Sequence, residues 1–200
     1  MYKDQSIQKF CDDLSSKNVQ MGGGSNIALN CATTNSLIQY ICNLTIGKEK
    51  YINVEDDVKN ILIESKNIQK YMLDSIDRDS NILQDILVAW KNRKNDENKY
   101  IGVCKEAVDF GIEILDKSFE TLKLVEKISK IGNTNLASDF EIACFYAYSS
   151  VEASITNIKI NLKSINDEKY KVDKEEKCKA ILKESDLIKA EIIKITFKLI

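Results

Sequence analysis

The chain contains no histidine. That absence excludes Ser-His-Asp and Cys-His nucleophile pairs, H-E-x-x-H zinc sites and imidazole proton shuttles. Any acid–base chemistry falls to Asp, Glu, Lys, Tyr or Cys. There is no proline either, where usage near ~5% would place about ten in a chain of this length. With only seven glycines as well, the chain has few forced turns, which favours long helices. An excess of positive charge is also missing. Twenty-nine basic residues face thirty-one acidic ones, for a net charge of −2. No basic tail or stripe suits a phosphate backbone, so nucleic acid is not an expected partner. The six cysteines show neither C-x-x-C pairing nor metal-ligand spacing, so no metal site is expected. Most sit among apolar neighbours and read as small buried hydrophobes. The opening MYKDQSIQKFCDDL is too charged for a secretory signal, and a reducing cytoplasm is the expected location.

What is present is an ordinary globular balance. Of 200 residues, 44% are hydrophobic and 30% charged, enough for one domain over residues 1–200 to bury a core without disulfides or metal. Ile7, Phe10, Cys11 and Leu14 recur at helical spacing over 4–16. Gly22-Gly23-Gly24-Ser25 then breaks the chain, with Ser25 placed to cap a helix that ends at Gly47. Between those residues there is no charge, only apolar residues mixed with Asn26, Asn30, Thr33, Thr34, Asn35, Gln39 and Asn43. About twenty residues could span a bilayer, but so many amides oppose insertion. A central helix enclosed by protein on most sides is expected instead.

Helical phase continues from Val54 to Trp90, then again over 100–131, from Ser138 to Leu162, and from about 174 to 200. Lys91–Lys99 reads as a solvated connection, Gly111 marks a possible bend, and Gly132-Asn133-Thr134-Asn135 is turn chemistry. Ser138-x-x-Glu141 has the form of a capping box. No alternating strand is found. The sequence therefore predicts an all-α, single-domain bundle of long helices.

Two features carry chemistry. Tandem glycines opening a helix gather free N–H groups and the positive helix end, a seat for an anion; equally, they permit close helix packing. Asp79 is the one charged residue on the apolar phase of 54–90, between Ile76 and Leu83, while Asp74, Asp77 and Arg78 point elsewhere. A carboxylate there is either a functional group beside a polar cavity or a hydrogen-bond partner of a neighbouring helix. Asp139, in the first turn of its helix, and Lys48 and Lys50, beyond a helix C-terminus, are favoured by the helix dipole whatever their function. Asn133 and Asn135 are equally good turn formers.

In order, MGGGSNIAL (Met21–Leu29), NLTIGKEKY (Asn43–Tyr51), DSNIL (Asp79–Leu83), IGNTNLASDF (Ile131–Phe140) and NIKINL (Asn157–Leu162) resemble one family. It is the formiminotransferase-cyclodeaminase C-terminal domain with its stand-alone relatives, the methenyltetrahydrofolate cyclohydrolases. The family patterns are P-G-G-G-S, N-L-T-I-G-K-K-K-Y, D-A-x-A-F, G-N-x-N-x-x-S-D and N-V-x-I-N-L. Met21 stands in place of a proline and Leu83 in place of an aromatic.

The resemblance implies an all-helical homodimer acting on a tetrahydrofolate derivative as substrate, with no cofactor or metal and no membrane partner. The reaction it implies is hydrolysis of 5,10-methenyltetrahydrofolate to 10-formyltetrahydrofolate, or closure of 5-formiminotetrahydrofolate with release of ammonia. With no formiminotransferase domain fused to the chain, the hydrolysis is put slightly ahead. Asp79 is then the expected catalytic carboxylate, with Asp139 as a second carboxylate or pterin ligand. Gly22, Gly23, Gly24, Ser25, Asn43, Lys48, Asn133 and Asn135 are the expected substrate-binding residues, the glycines and Lys48 holding the glutamate end. Two alternatives are a non-catalytic helical homodimer serving as a binding or assembly module, and the same scaffold acting on another cyclic amidine.

Overall fold

The computed structural model describes residues 1–199 of the chain. Six α-helices follow one another: α1 Ile7–Leu14, α2 Gly23–Asn43, α3 Glu55–Asn92, α4 Glu97–Ile131, α5 Ala137–Leu162 and α6 Glu168–Phe197. Short 3-10 turns cover Tyr2–Asp4, Glu49–Val54 and Thr134–Leu136. No strand occurs among the described residues, as the unbroken 3.6-residue periodicity predicts.

The bundle is built around α2, which packs against α3, α4 and α5. Side-chain bonds set the directions. Gln69 donates to Ser36 at 2.6 Å while Ser25 donates to Asp79 at 2.7 Å, so α2 and α3 run antiparallel. Asn30 donates to the Tyr146 carbonyl and Asn133 to the Leu44 carbonyl, so α2 and α5 are antiparallel too. α6 lies on α4 and α5, parallel to α4 through Lys105–Asp167 and Lys177–Asp116 ion pairs. The amides of α2 are largely absorbed by this packing: Asn35 is fully buried and donates to the Cys31 carbonyl and the Thr121 hydroxyl.

Several boundaries differ from the expectations. α2 is capped by Gly22, and Ser25 lies inside its first turn with its hydroxyl on Asp79 and the Ile76 carbonyl. At the other end α2 stops at Asn43; Gly47, with φ of 77°, belongs to the following turn. Ser138 and Glu141 form no capping box, because Asn133 organises the turn and α5 starts at Ala137 with no side-chain cap. α6 begins at Glu168, six residues early, where Asp167 caps it through the Tyr170 N–H; Ile200, its expected end, lies outside the described residues. The polar run before α4 is a turn only to Asp96, whose side chain caps the helix.

Gly111 does not interrupt α4; it lets α5 approach, since a β-carbon there would stand 2.8 Å from Cγ1 of Ile158. Five of the cysteines are buried and Cys11 is exposed. Burial pushes the Cys31 and Cys144 thiols up to about 11 and Cys42 up to about 12, so they pack as neutral hydrophobes. No helix among the described residues is long and apolar enough to cross a membrane.

The first twenty-one residues form an arm laid along α3. The Tyr2 N–H donates to Asp77, Lys3 pairs with Asp74, Ser80 donates to the Gln20 carbonyl, and Gln84 donates to the Val19 carbonyl. Phe10, Met21, Ala28 and Ile76 make a small apolar cluster of their own, apart from the main core. Met21 thus anchors the chain just before the glycines, where the family pattern has proline.

Candidate active site

The triple glycine brings α2 against the middle of α3. Gly24 permits this: a β-carbon on it would meet Oδ1 of Asp79 at 1.9 Å. Oδ2 of Asp79 accepts the Ser25 hydroxyl at 2.7 Å, and the Ser25 main chain also bonds the carboxylate. The anion seat formed by this helix start is therefore filled, at Gly24 and Ser25, by the protein's own carboxylate. Gly22 and Gly23 remain open to the adjoining cavity.

Asp79 is half-buried and lines that cavity, which has a volume of about 190 Å³. Its walls come from four helices: the glycines of α2, Ile82, Leu83 and Ile86 of α3, Ala107 and Phe110 of α4, and Asn157, Ile160 and Asn161 of α5. Leu83, where the family has an aromatic, lies against Gly22. Burial raises the Asp79 carboxyl above its ordinary range, and the Ser25 bonds oppose that shift without cancelling it. The three charged neighbours do point elsewhere: Asp74 to Lys3, Asp77 to the Tyr2 N–H, and Arg78 to Glu113 in a two-point pair at 2.6 and 3.0 Å. The Arg78 guanidinium also sits 4.3 Å over the Phe110 ring, holding that wall in place. Bonded by Arg78, Glu113 is kept below the usual carboxylate range, fully charged and committed to structure.

Asn157 and Asn161 had been given no role, although both stand in the NIKINL stretch. Their four-residue spacing puts both amides on one helical face, and that face lines the cavity opposite Asp79. Asn161 uses its amino group on the Asn157 carbonyl at 3.0 Å, leaving its carbonyl oxygen and the Asn157 amide for a ligand.

The remaining expected residues gather elsewhere. Asn133 is buried, donates its side-chain amide to the Leu44 carbonyl, and donates its main-chain N–H to the Thr45 hydroxyl oxygen. Tyr51 donates to Asn133 and accepts from the Thr134 N–H, while Lys50 reaches the Thr134 hydroxyl at 3.4 Å. Desolvation raises the Tyr51 phenol, but the Thr134 and Lys50 bonds outweigh it and leave the group lowered. Asn43, Lys48 and Asn135 are exposed around this latch, and Asp139 is half-buried beside it in the first turn of α5. All five lie at the C-terminal end of α2, whereas Asp79 lies at its N-terminal end. At about 1.5 Å per residue, the 21-residue helix separates the two groups by about 30 Å. Within one chain, Asp79 and Asp139 do not share a site.

Known proteins share this fold. The chain is 28% identical over 199 residues to a methenyltetrahydrofolate cyclohydrolase of Methylorubrum extorquens, covering 96% of each. It is 20% identical over 189 residues to the formimidoyltransferase-cyclodeaminase of Rattus norvegicus, spanning 91% of this chain and 35% of that longer one. The fold superimposes on the crystal structure of formiminotetrahydrofolate cyclodeaminase from Thermotoga maritima with a TM-score of 0.88, at 23% identity, over 100% of this chain and 97% of the other. The sequence model described as formiminotransferase-cyclodeaminase matches residues 6–180. That match spans most of the chain, and the chain belongs to the formiminotransferase-cyclodeaminase family.

Proposed function

We propose that this chain is a one-carbon folate enzyme that opens or closes the carbon bridge between N5 and N10 of tetrahydrofolate, with Asp79 as its catalytic carboxylate. The supporting observation is a carboxylate tied to a helix start, raised by burial and facing a mostly apolar cavity. A cationic amidinium carbon in such surroundings is stabilised by the negative charge, which water would otherwise screen.

For hydrolysis, a water molecule adds to the bridging carbon of the methenyl cation and gives a proton to Asp79. The tetrahedral intermediate takes that proton onto N5. The carbon–N5 bond then breaks, the hydroxyl proton leaves, and a formyl group remains on N10. Reaction in the other sense from the formimino substrate has N10 attack the carbon, with Asp79 carrying the proton that lets ammonia depart. A carboxyl with a raised pKa suits both transfers. Asn157 and Asn161 suit the donor–acceptor edge of the pterin ring. The cationic centre travels on the substrate itself, so no resident cofactor is assigned. Hydrolysis is preferred, because the cyclohydrolase relative matches end to end at 28% identity.

Loss of the near-ultraviolet absorbance of methenyltetrahydrofolate tests the first reaction, and ammonia release from 5-formiminotetrahydrofolate tests the second. Purified protein that performs neither and binds no folate in equilibrium dialysis would leave the alternative of a non-catalytic helical module. A homodimer is proposed as the working form.

A further inference from the structure

We infer that the groove between α5 and α6 is a second binding site, for a small soluble amphiphile: an alkyl chain ending in an anionic head such as a carboxylate. The site is separate from the Asp79 cavity, and the inference does not depend on the folate reading.

Tyr148 donates to Asp186 and Thr196 donates to Glu141, so α5 and α6 run antiparallel. In that register Lys163 comes opposite Lys171, and Lys159 opposite the stretch from Glu175 to Lys179. Between the helices lies a cavity of about 380 Å³, within the ~300–1,000 Å³ typical of small-molecule sites. Its floor is apolar, with Ile155, Leu162 and Cys178 buried and Leu182 half-buried. Burial raises the Cys178 thiol, which keeps it a neutral part of that floor. Everything else lining the cavity is charged: Lys159, Lys163, Lys171 and Lys179, against Glu175 alone.

This imbalance is local. On the flank of α6 that meets α4, cations and acids are matched: Lys174 with Asp109, Lys177 with Asp116, and Lys105 with Asp167. In the groove, Lys171 reaches Glu168, but Lys159, Lys163 and Lys179 make no ion pair among the described residues. Four lysines thus surround an apolar floor in a chain whose net charge is −2. Lysine stems lie readily along apolar surface with their ammonium groups at its edge. An anionic head between them relieves the repulsion and gains charge-assisted hydrogen bonds, while an alkyl chain covers the floor.

The surroundings select against other occupants. A metal cation is repelled by the lysines. A flat anionic surface would meet Asp173, Glu176 and Glu184, all exposed along α6, whereas a single small molecule sinks between the lysines. The folate cavity is on the other side of α5. At about 3.6 residues per turn, Ile155, Lys159, Leu162 and Lys163 occupy the arc opposite Asn157 and Asn161.

Octanoate is the probe, followed by the amide chemical shifts of the full chain in an NMR titration. Millimolar octanoate should give saturable shifts gathered at Lys159, Lys163, Cys178 and Lys179, with Gly22, Gly23 and Gly24 unmoved. Octanol, which lacks the charge, and inorganic phosphate, which lacks the chain, should each bind at least about tenfold more weakly. The double variant Lys159→Gln/Lys163→Gln should lose at least about tenfold in octanoate affinity with its melting temperature nearly unchanged. Leu182→Trp should fill the groove and abolish the shifts. Octanol and phosphate are compared on the wild type, so those two titrations decide the matter if either variant folds poorly. The inference is overturned by octanoate shifts that are absent or centred on Asp79, by octanol or phosphate binding as well as octanoate, or by undiminished binding in the folded lysine variant. A response to anionic vesicles alone, with none to octanoate, also overturns it.

Discussion

The Asp79 carboxylate and the α-carbon of Gly24 lie so close that a side chain of any kind on residue 24 would overlap Oδ1. The glycine and the acid are therefore one device, split between two helices and 55 positions apart in sequence. Mutations on either side of it should separate activity from stability.

Gly24→Ala is the sharpest case. The helix itself should benefit, since alanine exceeds glycine by about 0.8–1 kcal/mol in helical positions, and the carboxylate tip can swing away at modest cost. That swing moves the reacting group by an ångström or more, which costs on the order of 100-fold in rate. Thermal melting followed by circular dichroism should hold or rise while turnover collapses. Equal losses of both would show that Gly24 serves packing alone.

Asp79→Asn keeps the shape and removes the charge. Turnover should fall by about 10²–10⁴-fold. The stability effect has a definite sign. Because the folded carboxyl is raised, the native state holds its proton more tightly than the unfolded chain does. Asp79's contribution to stability is therefore greatest below the unfolded carboxyl value near ~3.9 and declines as pH rises through the folded one. Melting curves at several pH values between the acid range and neutrality should show that decline in the wild type and a reduced one in the variant.

Ser25→Ala acts on the same proton from the other direction. The Ser25 hydroxyl favours the ionised carboxylate, so removing it raises Asp79 further. The acid limb of the rate profile should move to higher pH, with the plateau rate less affected than in Asp79→Asn. A limb that stays in place would detach that ionisation from Asp79.

Asn133→Ala addresses the other end of α2. Its amide and N–H join the Leu44 carbonyl and the Thr45 hydroxyl in a buried latch. The variant keeps the N–H but leaves the Leu44 carbonyl without its donor, which should cost about 1–3 kcal/mol, visible as a lower denaturation midpoint. Asp139→Asn, on a half-buried carboxyl with no bond to the latch, should leave the midpoint nearly unchanged.

Much of this was legible in the chain. Helical phase alone placed α3, α4 and α5 within a few residues, because each buries one continuous stripe. It also singled out Asp79 as the acid on that stripe and sent Asp74, Asp77 and Arg78 outward. What periodicity cannot express is which helix start meets which helix middle. Ser25 looked like a cap because serine before an apolar run usually is one; its hydroxyl is instead drawn to Asp79, a partner set by tertiary packing. The same limit hid Asn157 and Asn161, whose meaning depends on α5 passing opposite α3. It also hid the span of α2 that parts Asp79 from Asp139, although the residue count between the motifs contained it.

The leading arm has a final consequence. Phe10, Met21, Ala28 and Ile76 cohere apart from the main core, and the arm's other ties to α3 are a few polar bonds at the rim. A segment held this way can peel off as a unit while the remaining five helices stand. In deuterated water, the amides of α1 should exchange well before those of α2 and α4. No residue of the arm lines the Asp79 cavity, so each such excursion would leave the walls around the acid standing.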